Sequence, residues 1–240
     1  MDLIGDPGGT TAIRTEPRPL REAGTPTPED LAPTSFIDSE SDPVRELAEG
    51  ARVGAADDHE VAARLFAAVR DGVRYDPYTM PVDPQAYRAS AVLRAGSGYC
   101  IQKSVALTAA ARAAGIPSRL GFADVKNHLQ SPKLAERMGT DVFVFHGYSE
   151  LYVHGAWRKA TPAFNAELCE RFGVPPLTFD GSADALLHPF APDGSAYMEY
   201  IRDRGVYADL PLGLILEVFA AAYPGFGTGE ATVDDPAFSG

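Results

Sequence analysis

The run from Cys100 to Ala114 cannot be left in water as a helix. It is made mostly of alanine, valine, leucine and isoleucine, and Gly115-Ile116-Pro117 ends it. A helix that is apolar almost all round belongs in a core, with other elements packed around it. Whatever fold this chain adopts must therefore wrap that helix, and Gly98-Tyr99-Cys100 stands at its entrance.

What precedes the run reads as helical. Asp42 and Pro43 open a helix with Val44, Leu47 and Ala48 on one face, and Asp57-Asp58 caps a second carrying Val61, Leu65, Phe66 and Val69. Val73 to Tyr78 is broken by Pro77 and makes a turn, and residues 91–94 form a short helix ended by Gly96-Ser97-Gly98. After the run the pattern changes to strands at 118–122, 142–145, 151–153 and 157–160, with Gly155 as a hairpin turn. A short helix is expected over 133–138 behind Ser131-Pro132, and helix signals return at 166–172 and 212–222. Helices first and antiparallel hairpins after predict an α+β fold, with helices packed on an antiparallel sheet. A chain of 240 residues fits one such domain, placed over 35–225. Residues 1–34, dense in Pro, Gly and Thr, are expected to be a disordered or loosely packed arm, and 226–240 a flexible tail.

The net charge of −12 argues against a nucleic-acid partner, which would demand a basic face. No stretch of ~18 apolar residues offers a membrane span. The N-terminus lacks the basic-then-apolar pattern of an export signal, so a cytoplasmic location is expected, with Cys100 and Cys169 both as thiols. No spacing calls for zinc or calcium, and no cofactor is expected. Oligomeric state is left open.

Two residues carry chemistry. A thiol is a nucleophile when ionised, and the first turn of a helix favours the anion and supplies free N–H groups that can hold an oxyanion. Cys100 occupies such a place; the alternative is a small core residue, which is the reading given to Cys169. His146, in Phe145-His146-Gly147-Tyr148-Ser149-Glu150-Leu151-Tyr152, would reach a helix start from a strand, as a Cys–His pair requires. His128, His154 and His188 compete for that role.

Four segments in order carry a resemblance. They are Gly98-Tyr99-Cys100, Gly115-Ile116-Pro117-Ser118-Arg119, the His146–Tyr152 strand, and Trp157-Arg158-Lys159-Ala160-Thr161-Pro162. Together, over roughly residues 60–165, they resemble the transglutaminase-like superfamily, cousins of the papain-like thiol enzymes. Its pattern is Gly-x-Cys at a helix start, Gly-Ile-Pro-x-Arg, a His-Ala-Trp-x-Glu-x-Tyr strand, and a following strand with Trp and Asp-Pro. The resemblance implies a transglutaminase-like (papain-like) fold with the nucleophile at a buried helix N-terminus, Cys100 as nucleophile and His146 as base. It departs at one position: where the family has the aspartate that orients the histidine, this chain has Thr161. A hydroxyl can accept the imidazole N–H but cannot balance an imidazolium with a full charge. Thr161 ranks first for this third role by position, followed by Asp124 and then Asn165. The family's second oxyanion donor comes from ahead of the cysteine, where Tyr75 and Tyr78 are candidates; Tyr99 and Gln102 flank the nucleophile.

Within the superfamily, Lys159-Ala160-Thr161-Pro162-Ala163-Phe164-Asn165 is similar to the Dieckmann cyclases of tetramic acid and pyridone biosynthesis. That similarity implies natural-product chemistry on a small acyl substrate, a β-ketoacyl-aminoacyl thioester presented by a carrier protein. An acidic carrier would need a local basic patch, drawn from Arg112, Arg119, Lys126 or Lys133. The alternatives are a hydrolase or amine transferase acting on amides or peptides, and a non-catalytic interaction domain. The apolar and aromatic residues Phe190, Tyr197, Met198, Tyr200, Tyr207 and Phe219 would complete the core or line a pocket.

Overall fold

Ser41, in extended backbone, leads into Asp42 and Pro43, and α1 runs Asp42–Arg52. Asp57 accepts the Glu60 N–H and so caps α2, Asp58–Gly72. There follow β1 (Arg74–Tyr75), β2 (Thr79–Met80), α3 (Ala89–Ala95), β3 (Ser97–Gly98) and α4 (Cys100–Ala113). The second half holds β4 (Ser118–Asn127), α5 (Pro132–Met138), β5 (Val142–Val153), β6 (Ala156–Ala160), α6 (Ala166–Arg171), β7 (Met198–Tyr207), α7 (Leu212–Ala222) and β8 (Gly229–Glu230). The computed structural model describes residues 24–188, 191–224, 229–230 and 238.

The fold is α+β. Four strands form one antiparallel sheet in the order β6-β5-β4-β7, and α4 lies on it, against β5 and β4, with α1, α2 and α3 packed around it. Every residue of α4 from Cys100 to Arg112 is buried. Its polar side chains are satisfied from within. Lys103 Nζ donates to the carbonyls of Arg70 and Val73 at the end of α2, and burial pulls its pKa down to about 7. Arg112 donates to the carbonyls of Ser118, Ala32 and Ala208. Thr108 donates to Ser149 of β5, and the Ser149 hydroxyl donates back to the Ser104 carbonyl. A buried donor left unpaired costs about 1–3 kcal/mol, so these bonds fix the rotation of α4 as well as its place.

The sheet is larger than the apolar runs suggest. The stretch expected at 118–122 continues to Asn127, and those at 142–145 and 151–153 are the two ends of one 12-residue strand. β7 was not among the expected strands; its run of Arg202, Asp203 and Arg204 hides the alternation. The hairpin turn at Gly155 is present: Val153 pairs with Ala156, and His154 (φ 52°) and Gly155 (φ 74°) make a two-residue loop with both φ positive.

Of the arm over 1–34, residues 1–23 lie outside the described residues. The rest is tied to the body: Trp157 donates to the Gly24 carbonyl, Arg112 to Ala32, and Thr34 to Asp209. Of the tail expected at 226–240, Gly229 and Glu230 pair with β2 and Phe238 is buried among Tyr75, Tyr78 and Phe172; its other residues lie outside the described set. No helix among the described residues is long and apolar enough to cross a membrane.

Candidate active site

Cys100 is the first residue of α4, set by Gly98 in β3 and by Tyr99 in extended backbone. Gln102 caps this start: its Oε1 accepts the Tyr99 N–H and its Nε2 donates to the Ala86 carbonyl. The backbone N–H groups of Gly147, Ile101 and Cys100 itself favour the thiolate electrostatically. Burial outweighs them and raises the thiol pKa to about 11.

His146 lies on β5, and the next residue, Gly147, makes the close approach to α4. A Cβ on Gly147 would sit 3.0 Å from the Ile101 Cα and 3.3 Å from the Cys100 carbonyl oxygen. His146 is 5% exposed, and burial alone lowers its pKa to about 4. Its Nε2 has no hydrogen-bond partner. Cys100 and His146 line one cavity of about 40 Å³ with Tyr75, Tyr99, Phe219 and Tyr223. A second cavity of about 30 Å³ also has His146 in its wall, with Asn127, Gln130, Tyr197 and Phe238. Tyr75 and Phe143 are common to both. A ligand-sized site needs some hundreds of Å³, so the space beside Cys100 and His146 holds little more than water.

The residues considered for the third role go to different places. Thr161, just after β6, is 1% exposed, and its Oγ1 has no partner of hydrogen-bonding geometry. It lies against the hydroxyl of Tyr200, whose pKa burial raises to about 12 and which Thr161 moderates. The Tyr200 ring is 6.2 Å from that of His146, edge to face, so Tyr200 connects the two. Asp124 is held by the Phe145 N–H and by Arg204. Asn165 accepts the Tyr75 N–H and leads into α6. Tyr75 itself is buried near enough to Cys100 for a thiolate there to oppose its ionisation. The Tyr99 hydroxyl turns away to Tyr87.

Sequence reasoning left Tyr200, Gly147 and Tyr223 unassigned. The Tyr223 hydroxyl accepts the Val144 N–H and donates to the Val142 carbonyl, bracing β5 just ahead of His146. Only the apolar grouping around Tyr200 hinted at its place: Tyr197 and Met198 line the cavity beside His146 and Phe219 the one beside Cys100, while Tyr207 packs on Phe122 in the core. Phe190 lies outside the described residues. Cys169 is buried, with Val125, Val174 and Leu187 around it. His154 is in the hairpin turn, and His128 meets Glu199 near the surface. Of the four residues named for a basic patch, Lys133 is exposed and Lys126 pairs with Asp141, but the two arginines are not at the surface. Arg112 is buried, and Arg119 is buried against Glu150 with its guanidinium 4.0 Å over the Trp157 ring. Among the described residues no group of three or more His, Cys, Asp or Glu is placed to hold a metal ion.

A thiol heading a buried helix and an imidazole on the adjoining strand, both lining one cavity, are the groups that cysteine-dependent acyl transfer uses. A family model described as the Transglutaminase-like superfamily matches residues 45–162, and over them the chain belongs to that superfamily, whose members are typically cysteine-dependent enzymes. No curated protein matches the chain. Among solved structures it is similar to a candidate cysteine protease from Cytophaga hutchinsonii, at 17% identity over 55% of this chain and 40% of that one, with a TM-score of 0.43. It is also similar to the periplasmic domain of TgpA from Pseudomonas aeruginosa, at 19% identity over 55% of this chain and 45% of that one, with a TM-score of 0.39. The chain thus spans less than half the length of either structure.

Proposed function

We propose that this chain performs thiol-dependent acyl transfer, and that its reaction is a Dieckmann cyclisation releasing a carrier-held β-ketoacyl-aminoacyl thioester as a tetramic acid or pyridone. The observation that carries the reading is that Cys100, at the head of the buried helix α4, lines one cavity with His146.

The electrostatics favour a reactive acyl donor. With His146 at about 4 and Cys100 at about 11, thiol and imidazole are both neutral at pH 7. The imidazole is free to accept a proton, and the thiol gives it up as the acyl bond forms. Among the described residues no carboxylate is bonded to His146 Nε2 to support a lasting imidazolium, and burial is the single cause of its shift. A thioester, whose thiolate leaves with little help, suits such a site better than an amide does.

The steps balance. His146 takes the Cys100 proton as sulfur adds to the thioester carbonyl, and the backbone N–H groups hold the oxyanion. Collapse expels the carrier thiolate, which takes the proton from His146. Neutral His146 then removes a proton from the carbon between the ketone and amide carbonyls. That carbanion attacks the acyl-enzyme carbonyl, the ring closes, and Cys100 leaves as thiolate and recovers the proton. The apolar lining around Cys100 suits an uncharged acyl chain.

The test is to incubate the protein with a carrier-bound β-ketoacyl-aminoacyl thioester and follow products by mass spectrometry. Tetramate or pyridone formation that is lost in Cys100→Ala is the expected result. Free acid alone, or ammonia released from a glutamine peptide run in parallel, would point to a hydrolase or amine transferase instead.

A further inference from the structure

On a regular strand, residues an odd number apart face opposite sides. Phe143 and His146 are three apart on β5, yet both line the two cavities at the site. The pairing with β4 explains this. Ala123 is opposite His146 and Val125 is opposite Phe143, so Val144 and Phe145 together stand against Asp124 alone. This is a β-bulge, and Phe145 has a φ of 53°, a conformation that glycine usually supplies at such places. The other neighbour of β4 is irregular at the same level: Phe122 pairs with Gly205 and Ala123 with Asp203, which leaves Arg204 as an extra residue, and Asp124 pairs with Arg202 and Val125 with Tyr200, which leaves Ile201 as a second.

Two of these residues, Phe145 and Arg204, bond to one buried carboxylate. Asp124 Oδ1 accepts the Phe145 N–H at 3.1 Å and Arg204 Nε at 2.8 Å, and Oδ2 accepts Arg204 Nη2 at 2.8 Å. The guanidinium then covers the Phe145 ring, 4.9 Å from its centre.

We infer that Asp124 is a positioning residue for His146: by holding the Phe145 N–H it fixes the bulge that turns the imidazole to the side where Cys100 lies. A slip of one residue here would carry His146 to the other face of the sheet. Asp124 thus acts through the backbone one residue ahead, not on the imidazole. The inference rests on Cys100 and His146 being the reacting pair.

Asp124→Asn keeps an oxygen for the Phe145 N–H and loses the charge, whereas Asp124→Ala loses both. The probe is acetoacetyl N-acetylcysteamine thioester, with single-turnover acylation of Cys100 followed by mass spectrometry and the His146 ring signals followed by ¹⁵N NMR. Misplacing the imidazole should lower the maximal acylation rate of Asp124→Ala about 100-fold at an unchanged half-saturating concentration, and shift the ring signals. Asp124→Asn should stay within about threefold of the parent, with its ring signals in place. An Asp124→Ala rate like the parent's overturns the inference, and so does an Asp124→Asn loss as deep as that of alanine, which would mean a direct carboxylate–imidazole contact. Should Asp124→Ala fail to fold, Asp124→Asn decides alone by rate and spectrum. Cys100→Ala and His146→Ala are run beside them. If acylation elsewhere in the chain persists in both, the reacting pair is misassigned; if both abolish it while Asp124→Ala does not, only the positioning role fails.

Discussion

The backbone N–H of Gly147 favours the thiolate of Cys100, and a side chain on Gly147 would crowd the head of α4. At Gly147 the strand that carries the imidazole therefore meets the head of the helix that carries the thiol backbone to backbone, while further along Ser149 bonds to Thr108 and Ser104 of the same helix. The alanine of the superfamily pattern cannot stand at this position without moving Ile101, because its Cβ would lie 3.0 Å from that Cα.

Gly147→Ala should push β5 off the head of α4. The expected result is a loss of acylation of at least about tenfold, with a stability cost of about 1–2 kcal/mol, as for other overpacked sites. Urea unfolding and single-turnover acylation measure the two separately. Parent-like acylation in a folded variant would mean that the Gly147 N–H is not part of the site.

Burial of His146 should make the fold sensitive to acid. Its pKa falls from 6.5 to about 4, so between those values the unfolded chain binds a proton that the folded one does not. Stability from this residue is complete above pH 6.5 and is lost as pH falls toward 4, amounting to about 3 kcal/mol. Urea midpoints across pH 4 to 7 should show that slope, and His146→Gln should flatten it. An unchanged slope would assign the acid sensitivity to other groups.

Cys100 should behave as a buried thiol until an acyl donor arrives. With its pKa near 11, alkylation by iodoacetamide should rise about tenfold per pH unit through neutrality and still be climbing at pH 10. An exposed thiol levels off near its ordinary value of about 8.5. Cys169→Ala isolates the signal. A plateau beginning below pH 7 would show a resting thiolate–imidazolium pair and would remove the argument for thioesters.

These relationships were unevenly legible in the sequence. The place of α4 was readable because an apolar helix has one destination, and Cys100 at its head followed from the glycine before it. The fate of its polar side chains was not: Lys103 and Arg112 are buried on carbonyls far along the chain, such as those of Arg70 and Ala208. His146 was found by motif rather than by pattern, since the alternation of β5 breaks at Phe145. No glycine marks that bulge, and the Asp124–Arg204 pair that holds it joins residues 80 apart in sequence. Strand β7 carries Glu199, Arg202, Asp203 and Arg204, so its charges concealed both the strand and the place of Tyr200 beside His146.

Phe238 offers a way to widen the site. Its ring packs against Tyr75, Tyr78 and Phe172 with centroids 6.1, 5.7 and 5.7 Å away, and its carbonyl accepts a hydrogen bond from Arg74. It forms part of the wall of the cavity beside His146, and its neighbour Tyr75 also lines the one beside Cys100. Truncating the ring removes that wall without touching α4 or β5. Phe238→Ala should raise Cys100 alkylation at fixed pH severalfold, roughly 3- to 10-fold, while lowering stability by about 2–3 kcal/mol. The two effects separate if alkylation is measured well below the unfolding midpoint, where global opening is too rare to supply the reaction. Alkylation that rises only in proportion to lost stability would mean that the reagent reaches Cys100 through unfolding, and that Phe238 does not govern access to the thiol.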